Sequence, residues 1–140
     1  MWVNAGLEEH YGFSFDIEEI LEQNVADLAP FQPPHGRLLL ADDVGIGCLR
    51  SIGDDVGEVK RMYVRPQARG TGLGRSLLGA LLEAADTAGY ERVRLDSVRF
   101  MEAAHRLYRS AGFKQIEPYE QSEIPPEFWD HWVFMERVRY

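Results

Sequence analysis

The chain is 140 residues long and close to the usual globular balance, with 45% hydrophobic and 27% charged residues, which fits one domain with one core and excludes a low-complexity chain. A net charge of −8 argues against non-specific nucleic-acid binding. One cysteine, Cys48, forbids an internal disulfide, residues Met1 to His10 lack the pattern of a leader, and the longest aliphatic run, Leu38 to Ala41, is too short to span a bilayer, so a cytoplasmic protein with no membrane partner is expected.

In chain order, Ile17, Ile20, Leu21, Val25 and Leu28 recur at helical spacing over Phe15–Leu28, with Asp16 placed to cap. Pro30, Pro33 and Pro34 break that pattern, so residues 29–36 read as a loop. Arg37–Ala41 and Val44–Ile52 flank the turn pair Asp42-Asp43 and read as a β-hairpin. A second turn at Gly53-Asp54-Asp55 leads to a strand at Glu58–Val64, which Pro66 ends. Residues 67–75 form a loop rich in glycine and arginine. Leu73, Leu77, Leu78, Leu81, Leu82 and Ala85 then mark an amphipathic helix, with Gly89 as its C-terminal cap. Glu91–Ser97 alternates as a strand. Phe100, Ala104, Leu107, Tyr108 and Ala111 form a second helical stripe, stopped by Gly112. Phe113–Ile116 reads as a strand, residues 118–130 as a loop, and Trp132–Val138 as the last strand. The order predicts a mixed α/β sheet with a strand–helix–strand unit in its second half.

The most informative segment is Arg69-Gly70-Thr71-Gly72-Leu73-Gly74-Arg75-Ser76, between a strand and an amphipathic helix. Glycines let a backbone approach a ligand closely, and the first turn of a helix offers unpaired N–H groups and a positive dipole end. Together these cradle a phosphate or pyrophosphate. Arg69 and Arg75 add charge, Ser76 a hydroxyl, and the wider cluster of Lys60, Arg61, Arg65, Arg69 and Arg75 suits a small anionic ligand in an otherwise acidic chain. The competing reading is a glycine-rich turn that only starts a helix. A P-loop string is absent, and the dinucleotide pattern fails because Arg75 or Leu77 occupies the place of its third glycine.

This segment resembles the cofactor motif of the GNAT superfamily of acyl-CoA-dependent N-acyltransferases, Gln/Arg-x-x-Gly-x-Gly/Ala after a β-strand, which Arg69 to Gly74 match in full. Glu58 to Pro66 is similar to the family's fourth strand. Ala104-His105-Arg106-Leu107-Tyr108 followed by Gly112-Phe113 resembles its Ala-x-x-Leu-Tyr…Gly-Phe pattern, and Pro118-Tyr119 and Phe134-Met135-Glu136 look like members' endings. The resemblance covers roughly residues 36–139. It implies a mixed, mostly antiparallel sheet flanked by helices, and acetyl-CoA as co-substrate, with no metal. The acceptor it implies is a small-molecule or peptide amine. Met62, Tyr63 and Val64 would then border the pantetheine arm, the loop from Arg69 through Gly70, Thr71, Gly72, Leu73 and Gly74 into Arg75 and Ser76 would hold the pyrophosphate, and Ala104 would touch the cofactor.

For chemistry, direct attack of an amine on a thioester needs a base, carbonyl polarisation and an acid for the leaving thiolate. Tyr108 matches the family's acid, and a phenol with a pKa of about 10 is close to an alkyl thiol; without the resemblance it reads as a core aromatic. Glu58 matches a glutamate that several members use as base through water, against a solvated strand-end charge. His105 and His131 are alternative bases or plain structural histidines. Cys48 reads as a buried small residue. Tyr119, Phe128, Trp129 and Trp132 either line an acceptor pocket or pack a core.

Two positions depart from the family. Met101 stands where many members carry a cofactor-contacting asparagine, a contact that Asp96 or Ser97 could replace. The usual first strand has no counterpart before Phe15, so the expectation is a shortened fold, a sheet completed by a partner chain as in a homodimer, or a chain incomplete at its start. A non-catalytic acyl-CoA-binding module on the same fold, and a nucleotide-phosphate binder, are the alternatives to an enzyme.

Overall fold

A computed structural model describes Phe31 and residues 33–139. The Asp42-Asp43 turn folds β1 (Arg37–Ala41) back on β2 (Gly45–Gly53), with Arg37 opposite Leu49 and Ala41 opposite Gly45. Asp42 takes φ 50°, a left-handed turn conformation that aspartate tolerates better than most residues. A second turn brings β3 (Val56–Val64) antiparallel to β2, from Gly53↔Val56 to Gly45↔Val64.

From β3 the chain crosses over through α1 (Leu73–Ala88) into β4 (Arg92–Val98), which lies parallel to β3. After α2 (Glu102–Ser110) come β5 (Lys114–Ile116) and β6 (Trp132–Val138), and β6 runs antiparallel between β4 and β5. The six-stranded sheet has the order β1-β2-β3-β4-β6-β5, with β3–β4 its parallel pair. This is the mixed, mostly antiparallel α/β fold expected.

The leucine stripe explains why α1 covers the sheet. Leu77, Leu78, Leu81, Leu82 and Ala85 are buried against Leu49, Val59, Met62, Val93, Leu95 and Met135. Burying each leucine contributes about 1.5–3 kcal/mol. Gly89 ends the helix at φ 87°, with its N–H donated to the Ala85 and Asp86 carbonyls. The opposite face carries a smaller cluster of Phe31, Ile46, Cys48 and Tyr63, and beyond it a polar group built on Arg50, Glu58 and Lys60.

Some boundaries differ from the sequence reading. β3 starts earlier, at Val56. Short 3-10 turns occupy Pro66–Ala68 and Pro126–His131, where the prolines sit at helix-starting positions. Helix α2 starts at Glu102, so half-buried Phe100 precedes it, and His105 takes a buried place on its inner face beside Tyr108. The helix expected over Phe15–Leu28 and the question of a first strand lie outside the described residues. Among the described residues no helix is long and apolar enough to cross a membrane.

Candidate active site

The site begins where two neighbouring strands part. β3 and β4 pair only at Val56↔Arg92, Gly57↔Val93 and Glu58↔Arg94. Past Glu58, β3 continues to Val64 and β4 to Val98 with no pairing between them. A bulge in β3 helps to open this gap. Cys48 faces Lys60 and Ile46 faces Tyr63, so three steps along β3 oppose two along β2, and Arg61 takes φ 55°. Gly47 lies opposite the bulge, where a Cβ would come within 2.8 Å of the Met62 sulfur and 2.9 Å of Leu81. Glycine is needed there so that Met62 can pack beneath the bulge.

The glycine-rich loop lies at the far end of β3. Gly70 and Gly72 take φ 78° and 88°, and a Cβ on either would meet nothing within 4 Å. The requirement for glycine is therefore conformational, and the space beside each is open. Gly72 starts α1, and no side chain caps that end of the helix. The Thr71 hydroxyl instead donates to the Ala68 carbonyl at 2.5 Å, and Arg69 Nε donates to the Val64 carbonyl at 2.9 Å. The Arg69 guanidinium also lies over the Tyr63 ring, 5.8 Å from its centre. The first-turn amides of α1 thus face an open mouth with a cation beside it.

A cavity of about 300 Å³ joins the two features. It runs from Met62, Tyr63 and Val64 past Arg69, Gly70, Gly72, Leu73 and Gly74 to Met101, Ala104 and Tyr108. Thr71, Arg75 and Ser76 are exposed beside the loop and outside this lining. The residues present suit a coenzyme A molecule: a strand edge with no pairing partner for the pantetheine amides, and helix-mouth amides for the diphosphate.

Tyr108 reaches the cavity from α2 and is only 1% exposed. Burial, and then the Asp96 charge, push its phenol well above the ordinary value of 10, so it keeps its proton at neutral pH. Its helix is fixed partly by His105, whose Nε2 lies 2.9 Å from the Ser97 hydroxyl. Burial pulls the His105 pKa down, which favours neutral imidazole.

Across the sheet from α1, charged side chains form a network. Glu58 is fully buried, accepting from Arg50 Nε at 2.7 Å through one oxygen and from the Tyr119 hydroxyl at 2.6 Å through the other. Burial raises its pKa, against the lowering pull of Lys60, Tyr119 and Arg50. Lys60 lies 3.5 Å from Asp96 and 3.4 Å from Glu123, and Ser122 donates to Asp96 at 3.0 Å. Lys60 stays protonated: burial works against the charge, but Asp96, Glu58 and Glu123 more than offset it. Tyr119 therefore both joins the network through its hydroxyl and packs edge-on against Phe134. Arg50 had no signal in the sequence beyond being charged on a strand.

Residues 34–115 match the family model described as acetyltransferase (GNAT) domain. The chain belongs to the GNAT acetyltransferases. It is 34% identical over 131 residues to an uncharacterized N-acetyltransferase of Schizosaccharomyces pombe, covering 89% of this chain and 80% of that one. The fold is similar to a GNAT-family acetyltransferase from Staphylococcus aureus, with TM-score 0.76, 16% identity and coverage of 99% and 89%. It is also similar to a GNAT acetyltransferase from Elizabethkingia anophelis with acetyl-CoA bound, with TM-score 0.59, 15% identity and 69% of each chain covered.

In GNAT terms, Met101 stands in place of the asparagine that many members carry, and it lines the cavity itself. The two candidates for replacing that contact are engaged elsewhere: Ser97 with His105 and Asp96 with Lys60 and Ser122. His131 sits at the end of a 3-10 turn and is exposed. Trp129 donates its ring N–H to the Ile124 carbonyl and packs edge-on to Phe134, while Phe128 is exposed and faces the Trp132 ring. Cys48 is buried, and burial pushes its thiol up to about 11, which suits a packing role and not a nucleophile.

Proposed function

We propose that this chain transfers an acetyl group from acetyl-CoA to a primary amine by direct attack in a ternary complex. The observation that carries the reading is the single cavity that links the unpaired edge of β3, the glycine mouth of α1 and the Tyr108 hydroxyl-bearing ring. The pantetheine arm lies along Met62 to Val64, the diphosphate sits on the amides from Gly70 to Gly74 with Arg69 beside it, and the thioester comes to rest near Tyr108.

In the reaction the amine nitrogen forms a bond to the thioester carbon and the carbon–sulfur bond breaks. The proton lost by the ammonium passes through water to Glu58, whose raised pKa suits a base nearer neutrality. The sulfur takes a proton from Tyr108, which stays protonated until the thiolate leaves because burial raises its pKa, and the second proton that the nitrogen loses on becoming an amide returns to the tyrosinate. Thiol release from acetyl-CoA, measured across a panel of amines, tests this. Amine-dependent release that falls about 100-fold in Tyr108→Phe, with coenzyme A affinity kept, is the expected result. Full turnover in that variant would remove Tyr108 from the chemistry.

One observation favours a second reading, a non-catalytic acyl-CoA-binding module: both Glu58 oxygens already accept hydrogen bonds. That reading requires tight coenzyme A binding with no turnover on any amine.

A further inference from the structure

Apart from tyrosines and Cys48, the buried polar side chains among the described residues are Glu58, Lys60, Ser97 and His105. Glu58 and Lys60 belong to the charged network across the sheet from α1. Ser97 and His105 hold each other instead, with the imidazole Nε2 2.9 Å from the Ser97 hydroxyl. Burying an imidazole and a hydroxyl gains little over burying two apolar side chains, and each becomes a cost when its partner is lost. The place of this pair in the fold shows what it does.

Ser97 lies in the stretch of β4 that has left β3 and pairs with β6, opposite Val133. Its neighbour Asp96 points the other way, to Lys60 and Ser122, as successive strand residues do. His105 lies in the middle of α2, three residues before Tyr108 and on the same face. These two are the buried residues of the helix, and Ala104 and Leu107 are only partly covered. A helix of 9 residues is too short to hold its shape in water unaided, and no side chain caps its first turn. Its last turn is held by the Tyr108 and Phe113 rings, 5.8 Å apart, and by the Phe113 N–H donating to the Tyr108 carbonyl at 3.0 Å. The His105–Ser97 bond ties the rest of the helix to β4 in a direction that apolar contact alone does not fix. The charged groups acting on the ring, Arg109, Glu102 and Arg99, are exposed, and the neutral ring offers one donor and one acceptor to the hydroxyl. The same helix supplies Ala103, Ala104, Leu107 and Tyr108 to the cavity. A shift or rotation of α2 therefore moves Tyr108 and one wall of the cavity together.

We propose that His105, through Ser97, is a positioning residue: the bond seats α2 against the free end of β4 and so sets both the width of the cavity and the place of Tyr108 beside the thioester. The effect on turnover rests on the acyl-transfer reading above, while the effect on affinity rests only on the cavity taking coenzyme A.

The test measures coenzyme A affinity by calorimetry, thiol release with an active amine, and stability by denaturant unfolding in a set of variants. His105→Leu and Ser97→Ala should each weaken coenzyme A at least about threefold and lower kcat at least about tenfold, because a slightly misplaced group costs rate steeply. His105→Gln, whose amide can still meet the Ser97 hydroxyl, should keep both within about twofold. Leu49→Ala, a core truncation on β2, should lose stability and keep both quantities. The double variant of His105→Leu and Ser97→Ala should be no worse than the poorer single one, since both remove the same bond. Ser97→Ala removes a single oxygen and decides the matter should His105→Leu not fold. Unchanged affinity and kcat in Ser97→Ala would overturn the proposal. So would a His105→Gln protein no better than His105→Leu, or a Leu49→Ala protein that loses affinity and kcat in the same way. Absence of turnover by the unaltered protein on any amine would sink acyl transfer and leave the affinity arm to decide. Threefold weaker coenzyme A binding in Ser97→Ala, with Leu49→Ala unchanged, would then keep the seat of α2, and equal affinities would overturn it.

Discussion

Gly72 and Gly89 bracket α1 with almost the same backbone, φ 88° and 87°, and a Cβ at either would meet nothing within 4 Å. Alanine at either place should therefore cost only the left-handed strain, about 1–2 kcal/mol. For a chain of this size that lowers the melting temperature by about 3–10 °C. The two variants should match in stability and differ in ligand binding. At Gly72 the new methyl enters the open mouth where a diphosphate oxygen would meet a helix amide. Losing one charge-assisted hydrogen bond of about 1.5–3 kcal/mol weakens coenzyme A by about 10- to 150-fold. At Gly89, at the other end of the helix, affinity should be unchanged. Isothermal titration calorimetry with coenzyme A, beside thermal melts of both variants, makes the comparison. If Gly72→Ala destabilised the protein as much as Gly89→Ala and yet bound coenzyme A like the unaltered chain, the loop would be only a turn that starts a helix.

Other outcomes follow from the same contacts. If Glu58 is the base, kcat/KM should be lost as pH falls through a midpoint above the ordinary 4.5, since raising a carboxyl pKa keeps it protonated to higher pH; Glu58→Gln should remove that limb of the pH profile. Lys60→Met should cost about 3–5 kcal/mol by leaving Asp96 buried without its cation, and Lys60→Met with Asp96→Asn should recover part of it in chemical denaturation. Gly47→Ala should perturb acetyl-CoA affinity and stability together, because its Cβ would press on Met62 and Leu81 at 2.8 and 2.9 Å. Cys48 should react with a thiol reagent only on unfolding. Because its folded pKa is raised from 9.0 to about 11, the folded state holds the proton more tightly, and stability should fall as pH rises through that range, a loss absent in Cys48→Ala.

Local signals were enough for much of this fold. The Asp42-Asp43 turn between apolar runs set the first hairpin, the leucine spacing set α1, and Gly89 marked its end. The start of β6 was also legible, because proline and polar residues precede the apolar run Trp132–Met135. Features that depend on distant partners were not. Nothing local shows that His105 turns inward to Ser97, since the pattern of α2 reads equally well with Phe100 on its stripe. The bulge at Arg61 carries no glycine or asparagine to announce its positive φ. Glu58 was visible as a candidate, but its partners Arg50 and Tyr119 come from a neighbouring strand and from a loop 61 residues away. The shape of the glycine loop was legible because the positive φ at Gly70 and Gly72 is a backbone requirement written in residue type.

In the proposed reaction the mouth of α1 holds the diphosphate and so aligns the thioester along β3. The most direct measurement is a pair of calorimetric titrations, one with coenzyme A and one with pantetheine, which has the arm but not the diphosphate. Coenzyme A should bind at least 100-fold more tightly. Equal affinities, or no heat with coenzyme A, would contradict a diphosphate site at the mouth of α1.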